Sequence, residues 1–206
     1  HGAKLALYQD YLDEILYAPN GALNENGLDL MSNRFVVARR PMPGLNPVYQ
    51  DESTGLLVLE NPDYLPRAFL VGDTEVVPDD DAAIARLTDN RFEPRGTAVL
   101  TEADAAMLPD GFAPSPMVVL PDSTAAGSTL TARVTLERFT PREIVWEVHT
   151  DAPRLLVASE VYYPAGWTAT VSDEPAPIVR VNHLLRGVPI PEGQHIVRMR
   201  FDPPLH

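Results

Sequence analysis

Glu143-Ile144-Val145-Trp146-Glu147-Val148-His149-Thr150 is the stretch on which the fold turns. Ile144, Trp146 and Val148 alternate with Val145, Glu147 and His149, a period of two that puts one set of side chains on each face of a β-strand. Working outward, Leu155–Tyr163, Trp167–Val171, Ile178–Val181, Leu184–Pro189 and His195–Phe201 read as further strands. Turn-forming runs separate them: Asp151-Ala152-Pro153, Pro164-Ala165-Gly166, Ser172-Asp173-Glu174-Pro175 and Pro191-Glu192-Gly193. Short strands at this spacing predict an antiparallel β-sandwich, immunoglobulin-like or jelly-roll-like, over residues 131–206.

Upstream the pattern is mixed. Leu5, Tyr8, Leu12 and Ile15 recur at helical spacing, so residues 3–17 are expected to be an amphipathic helix ended by Pro19-Asn20-Gly21. Strand candidates follow at Arg34–Ala38, Pro47–Tyr49, Leu56–Glu60, Ala68–Val71, Glu75–Val77 and Thr97–Leu100. A helix over 80–88 interrupts them, announced by Asp79-Asp80-Asp81. That acidic run caps the helix and complements its dipole; calcium ligation is the alternative use of the same carboxylates. Residues 1–102 therefore read as an α+β region. Residues 103–130, rich in Ala, Pro, Ser, Gly and Thr, read as a linker or meandering loop holding one apolar strand, Met117–Leu120. The fold expected is mainly β with a few helices.

Composition narrows the function classes. The 206 residues carry 16 Lys plus Arg against 29 Asp plus Glu, a net charge of -13, which argues against nucleic acid as a partner. Proline is abundant at 21 residues, and cysteine is absent, which removes disulfides, thiolate nucleophiles and Cys-ligated zinc. No apolar run reaches the ~18–20 residues of a membrane span, and His1 at the start points to a processed product or a fragment. Phosphate loops, nucleophile elbows and metal motifs are missing, so no catalytic residue, metal or cofactor is assigned. The densest chemistry lies in Ser159–Trp167 and the following turn. Tyr162, Tyr163 and Trp167 could stack on sugar rings, with Asn182 and Arg186 supplying hydrogen bonds. The same aromatics could instead fill a sandwich core.

Four blocks carry a family resemblance: His1-Gly2-Ala3-Lys4-Leu5 with Tyr8-Gln9-Asp10; Asn33-Arg34-Phe35-Val36-Val37; Glu60-Asn61-Pro62 with Leu65-Pro66-Arg67-Ala68-Phe69; and Ser159 through Trp167 to Arg180-Val181-Asn182, Arg186-Gly187-Val188-Pro189 and Gly193-Gln194-His195. In this order they resemble the C-terminal extracytoplasmic region of YfhO-type bacterial polytopic membrane proteins. Ala165 and Thr168 depart from that family's pattern. The resemblance implies a parent with membrane spans before residue 1 and one after Pro204, similar to glycosyltransferases that use polyprenyl-phosphate sugars. The catalytic carboxylate of that class lies in an early loop outside this chain. What it implies here is a non-catalytic domain on the extracytoplasmic face of the bacterial cytoplasmic membrane. Its partners would be its own transmembrane region and a cell-envelope glycan or glycolipid, and its role structural or acceptor-glycan binding. A pure scaffold or protein-interaction domain and, further off, a sandwich-type glycan hydrolase are the alternatives.

Overall fold

A computed structural model describes residues 2–17, 23–115 and 132–202 of the chain. The protein is mainly β, as the pattern predicts, with fourteen strands among the described residues. Two antiparallel sheets form the sandwich. One has five strands: β7 (Ala132–Thr140), β8 (Glu143–Thr150), β10 (Trp167–Val171), β11 (Glu174–Ala176) and β14 (Gly193–Phe201), in the order β11-β10-β14-β8-β7. The other has four: β4 (Ala68–Val71), β9 (Arg154–Ala158), β12 (Val179–Val181) and β13 (Leu185–Ile190), in the order β12-β13-β9-β4.

Between them lies a core to which Ile144, Trp146 and Val148 of β8 contribute as their alternation requires, with Val197 and Met199 of β14 beside them. Leu70, Leu156, Val188 and Ile190 meet them from the four-stranded sheet. Outward positions of the five-stranded sheet, such as His149 and Arg198, face solvent. Strands wet on one side keep a period of two.

The four-stranded sheet is buried on both faces. β4, β9 and β13 contain only buried residues, and they read as unbroken apolar runs rather than alternating ones. A second core covers the far face: Phe69, Val71, Leu155, Val157, Val179 and Val181 pack against Tyr11, Ile15, Leu30, Leu87 and Val99. These come from a covering layer. It comprises helix α1 (Gly2–Asp10) running into a π-helical turn (Tyr11–Leu16), α2 (Glu25–Leu30), α3 (Asp80–Leu87) and the parallel pair β5 (Asp73–Val77) and β6 (Thr97–Thr101). A separate sheet, β1 (Phe35–Ala38), β2 (Asn46–Gln50) and β3 (Leu57–Glu60), has the order β1-β3-β2. The short helix α4 (Glu102–Ala105) follows β6 directly.

Several expectations change in detail. The helix of 3–17 is α-helical only to Asp10, after which the turn widens. The strand expected over Leu155–Tyr163 stops at Ala158. Ser159 N–H still donates to Arg67 O (2.8 Å), one step past the Ala68–Ala158 pair; then Glu160 N–H turns back onto Ala158 O (2.7 Å) while Ser159 Oγ donates to Leu30 O (2.6 Å). The expected break over 103–130 opens with α4, and its Met117–Leu120 strand lies outside the described residues. Strands β7 and β11 and helices α2 and α4 are additional to the sequence reading. Most consequential, β4 precedes that break yet pairs with β9 beyond it, Ala68 opposite Ala158 through Val71 opposite Leu155. The α+β region and the sandwich thus share a sheet and a core.

Candidate functional site

The turn between β12 and β13 gathers most of the polar groups singled out in the sequence. Val181 pairs with Leu185, so residues 182–184 must reverse the chain within three positions. Asn182 and His183 do so at φ values of 49° and 65°. Left-handed backbone is strained for most side chains and best tolerated by Asn among non-glycines. Asn182 is fully buried, and its side chain is used by the fold. Its Oδ1 accepts from Val99 N–H and its own N–H donates to Val99 O, both at 2.8 Å, so one asparagine continues the β6 backbone as a strand neighbour would.

Arg186 is 4 % exposed and lies opposite Ala158 in the sheet. Its Nε donates to Val161 O at 3.0 Å and its guanidinium carbon sits 4.0 Å from the centroid of the Trp167 ring, a cation–π stack. Burial pulls the Arg186 pKa down to about 10, with the Glu160 carboxylate opposing. Phe201 packs on the same indole at 5.3 Å and a 40° tilt. Trp167 is therefore contacted by both a cation and a second ring. Glu160 pairs with Arg67, whose guanidinium stacks on Phe139 at 4.6 Å.

A second polar cluster flanks the turn. Arg180 on β12 binds Asp104 through Nε (3.1 Å to Oδ2) and reaches Asp80 Oδ1 through Nη2 at 2.8 Å. Burial lowers its pKa, but the two carboxylates outweigh that and the net shift is upward. Asp104 is fixed by the N-cap of α4: Thr101 Oγ1 accepts from Asp104 N–H and donates to Asp104 Oδ2 at 2.6 Å. Asp79 caps α3, its Oδ1 accepting from Ala82 N–H at 2.9 Å, as the sequence predicts. His183 has 2 % of its side chain exposed, and burial lowers its pKa despite the nearby Asp80.

The five candidate ligand residues are not brought to one surface. Asn182 and Arg186 are interior, and Trp167 is half-buried beneath Arg186. Tyr162 is half-buried, tied by its N–H to Leu184 O, and burial with the Asp104 charge raises its phenol pKa. Tyr163 is the most exposed, at 36 %. The Arg180–Asp80–Asp104 triad was not anticipated. Thr101-x-x-Asp104 was readable as a cap, whereas an ion pair across 76 residues leaves no local signal. Among the described residues no three side chains converge as a metal site, and no helix is long and apolar enough to cross a membrane. Comparison with protein-family models, curated proteins and solved structures finds no match in any of the three.

Proposed function

We propose that the chain is the outer domain of a multi-spanning bacterial envelope protein resembling polyprenyl-phosphate-sugar-dependent glycosyltransferases, and that its role there is structural. The four ordered sequence blocks support the placement. The observation that carries the structural role is the use made of the longest block. Asn182 substitutes for backbone, Arg186 stacks over Trp167 and binds Val161 O, and Arg180 clamps Asp80 and Asp104. A sugar-binding tryptophan needs an uncovered ring face, and here a cation occupies one side at 4.0 Å. Acceptor-glycan binding, the second reading, would fall to half-buried Tyr162 and the more exposed Tyr163.

These 206 residues carry no cysteine, so a test of placement uses the full gene product with any cysteine outside them replaced by serine. Glu52 is exposed in the β2–β3 turn, so Glu52→Cys in the full gene product should react with a membrane-impermeant maleimide on intact cells. Labelling only after permeabilisation would place the domain on the other side and end the proposal. Titration of envelope oligosaccharides into the purified chain decides between the two roles. Saturable binding lost in Tyr163→Ala would favour acceptor recognition over a purely structural part.

A further inference from the structure

A pocket of about 420 Å³ opens where three elements meet: Asp10 and Glu14 from the first helix and its π-helical turn, Asp80, Asp81 and Ile84 from α3, and His183 from the β12–β13 turn. Every polar side chain lining it is a carboxylate or an imidazole. Arg180 bridges Asp80 and Asp104 and offsets one of their two charges, so with Asp10, Glu14 and Asp81 the pocket keeps an excess of negative charge. Such a cluster is ordinary on a chain of net charge -13, and its acidity alone would carry nothing.

His183 makes the difference. Its ring lines the pocket with 2 % of the side chain exposed, and neither nitrogen has a hydrogen-bond partner among the described residues. Nδ1 stands 3.7 Å from Asp80 Oδ1, beyond hydrogen-bond distance. Leaving a buried imidazole unsatisfied is unfavourable, and a bound donor would satisfy its acceptor nitrogen. Burial keeps the ring neutral at pH 7, so one nitrogen offers a lone pair alongside the carboxylates.

The complement to this set is a cation rich in N–H donors. A bare metal ion fits poorly: no three ligating side chains converge, and the space far exceeds the ~30 Å³ share of a water molecule. We propose that this pocket binds a compact organic ligand through its primary ammonium group, the ammonium attracted by the carboxylates that line the pocket, Asp10, Glu14 and Asp81, without all three closing on it, and the ligand's other donors directed at His183. The inference does not depend on where the domain sits relative to a membrane.

Two sources share this chemistry, an amino sugar and a lysyl side chain, and the test separates them. The purified protein is titrated calorimetrically with glucosamine and with Nα-acetyl-lysine amide, using N-acetylglucosamine and the doubly acetylated lysine amide as uncharged controls. Saturable binding of either amine, absent for its acetylated control, is expected, and the amine that binds identifies the source. The double variant Asp10→Asn/Glu14→Gln should weaken it at least tenfold. Asp13→Asn, one residue from the pocket and bonded to Gln9, should not change it. Both exposed positions allow the fold to be checked by an unchanged melting temperature. Equal binding of the acetylated controls, indifference to the double variant, or divalent cations binding where amines do not would overturn the proposal.

Discussion

Replacing Asn182 separates two contributions that its native side chain combines. Asn182→Gly keeps left-handed backbone accessible but leaves the Val99 N–H buried without an acceptor, a loss of about 1–3 kcal/mol. Asn182→Ala adds the cost of that backbone for a β-carbon, about 1–2 kcal/mol more. Urea unfolding of both variants should give this order, alanine below glycine below native. Asp29 supplies a pH-dependent counterpart. Burial raises its pKa to about 6, against hydrogen bonding from Asn61 and the charge of Arg95. The folded state therefore holds a proton that the unfolded chain releases near pH 4, and stability falls as pH rises from about 4 to about 6. Asn keeps an oxygen to accept from Asn61 without the charge, so Asp29→Asn should be more stable than native at pH 7.5, by up to about 3 kcal/mol. The two should converge near pH 4 in the same unfolding assay. An unchanged gap across that range would remove Asp29 as the source.

At the scale of elements, the central sheet tolerates little addition. A β-carbon on Gly187 would lie 2.7 Å from Val181 Cγ1 and 3.1 Å from Val179 Cγ2, both on the neighbouring strand. Gly187→Ala should thus prise β12 from β13 and cost about 1–3 kcal/mol, read as a lowered urea midpoint with its slope retained. Strands were legible where a local signal existed. Ala68–Val71 and Trp167–Val171 have the boundaries expected from their residues, and Asp79 sits where a cap was read. What escaped was set by distant partners. Val161, Tyr162 and Tyr163 resume a strand-like composition after β9 yet lie off the sheet, because Glu160 N–H turns back onto Ala158 O and Ser159 Oγ reaches Leu30 O, contacts that no local rule reveals. The hairpin of β10 and β11 turns through Ser172 and Asp173 at φ 50° and 67°, and Glu174 and Pro175, which read as part of the turn, already belong to β11, so that short strand was hidden. For the candidate site, residue type drew attention to the β12–β13 turn but did not reveal which way its side chains face. Asn182 and Arg186 face inward because Val99 and Trp167 await them there.

At the scale of the molecule, the change in periodicity along the chain was visible in the sequence, whereas the sharing of one sheet and one core across it was not. The unbroken apolar runs of β9 and β13 held the clue, since a strand hydrophobic on both faces needs cover on both. The N-terminal α+β region supplies that cover together with β4. Neither 1–115 nor 132–206 should then unfold cooperatively alone, since each lacks part of the shared sheet. Co-refolded, the two pieces should regain a single sharp transition by circular dichroism; two independent transitions would show separable folds. The pairing of Ala68–Val71 with Leu155–Ala158 has a kinetic corollary. The intervening chain acts as a tether, holding two complementary halves at a high effective concentration. Its length sets how fast they find each other, and lengthening it should slow folding while barely changing the rate of unfolding.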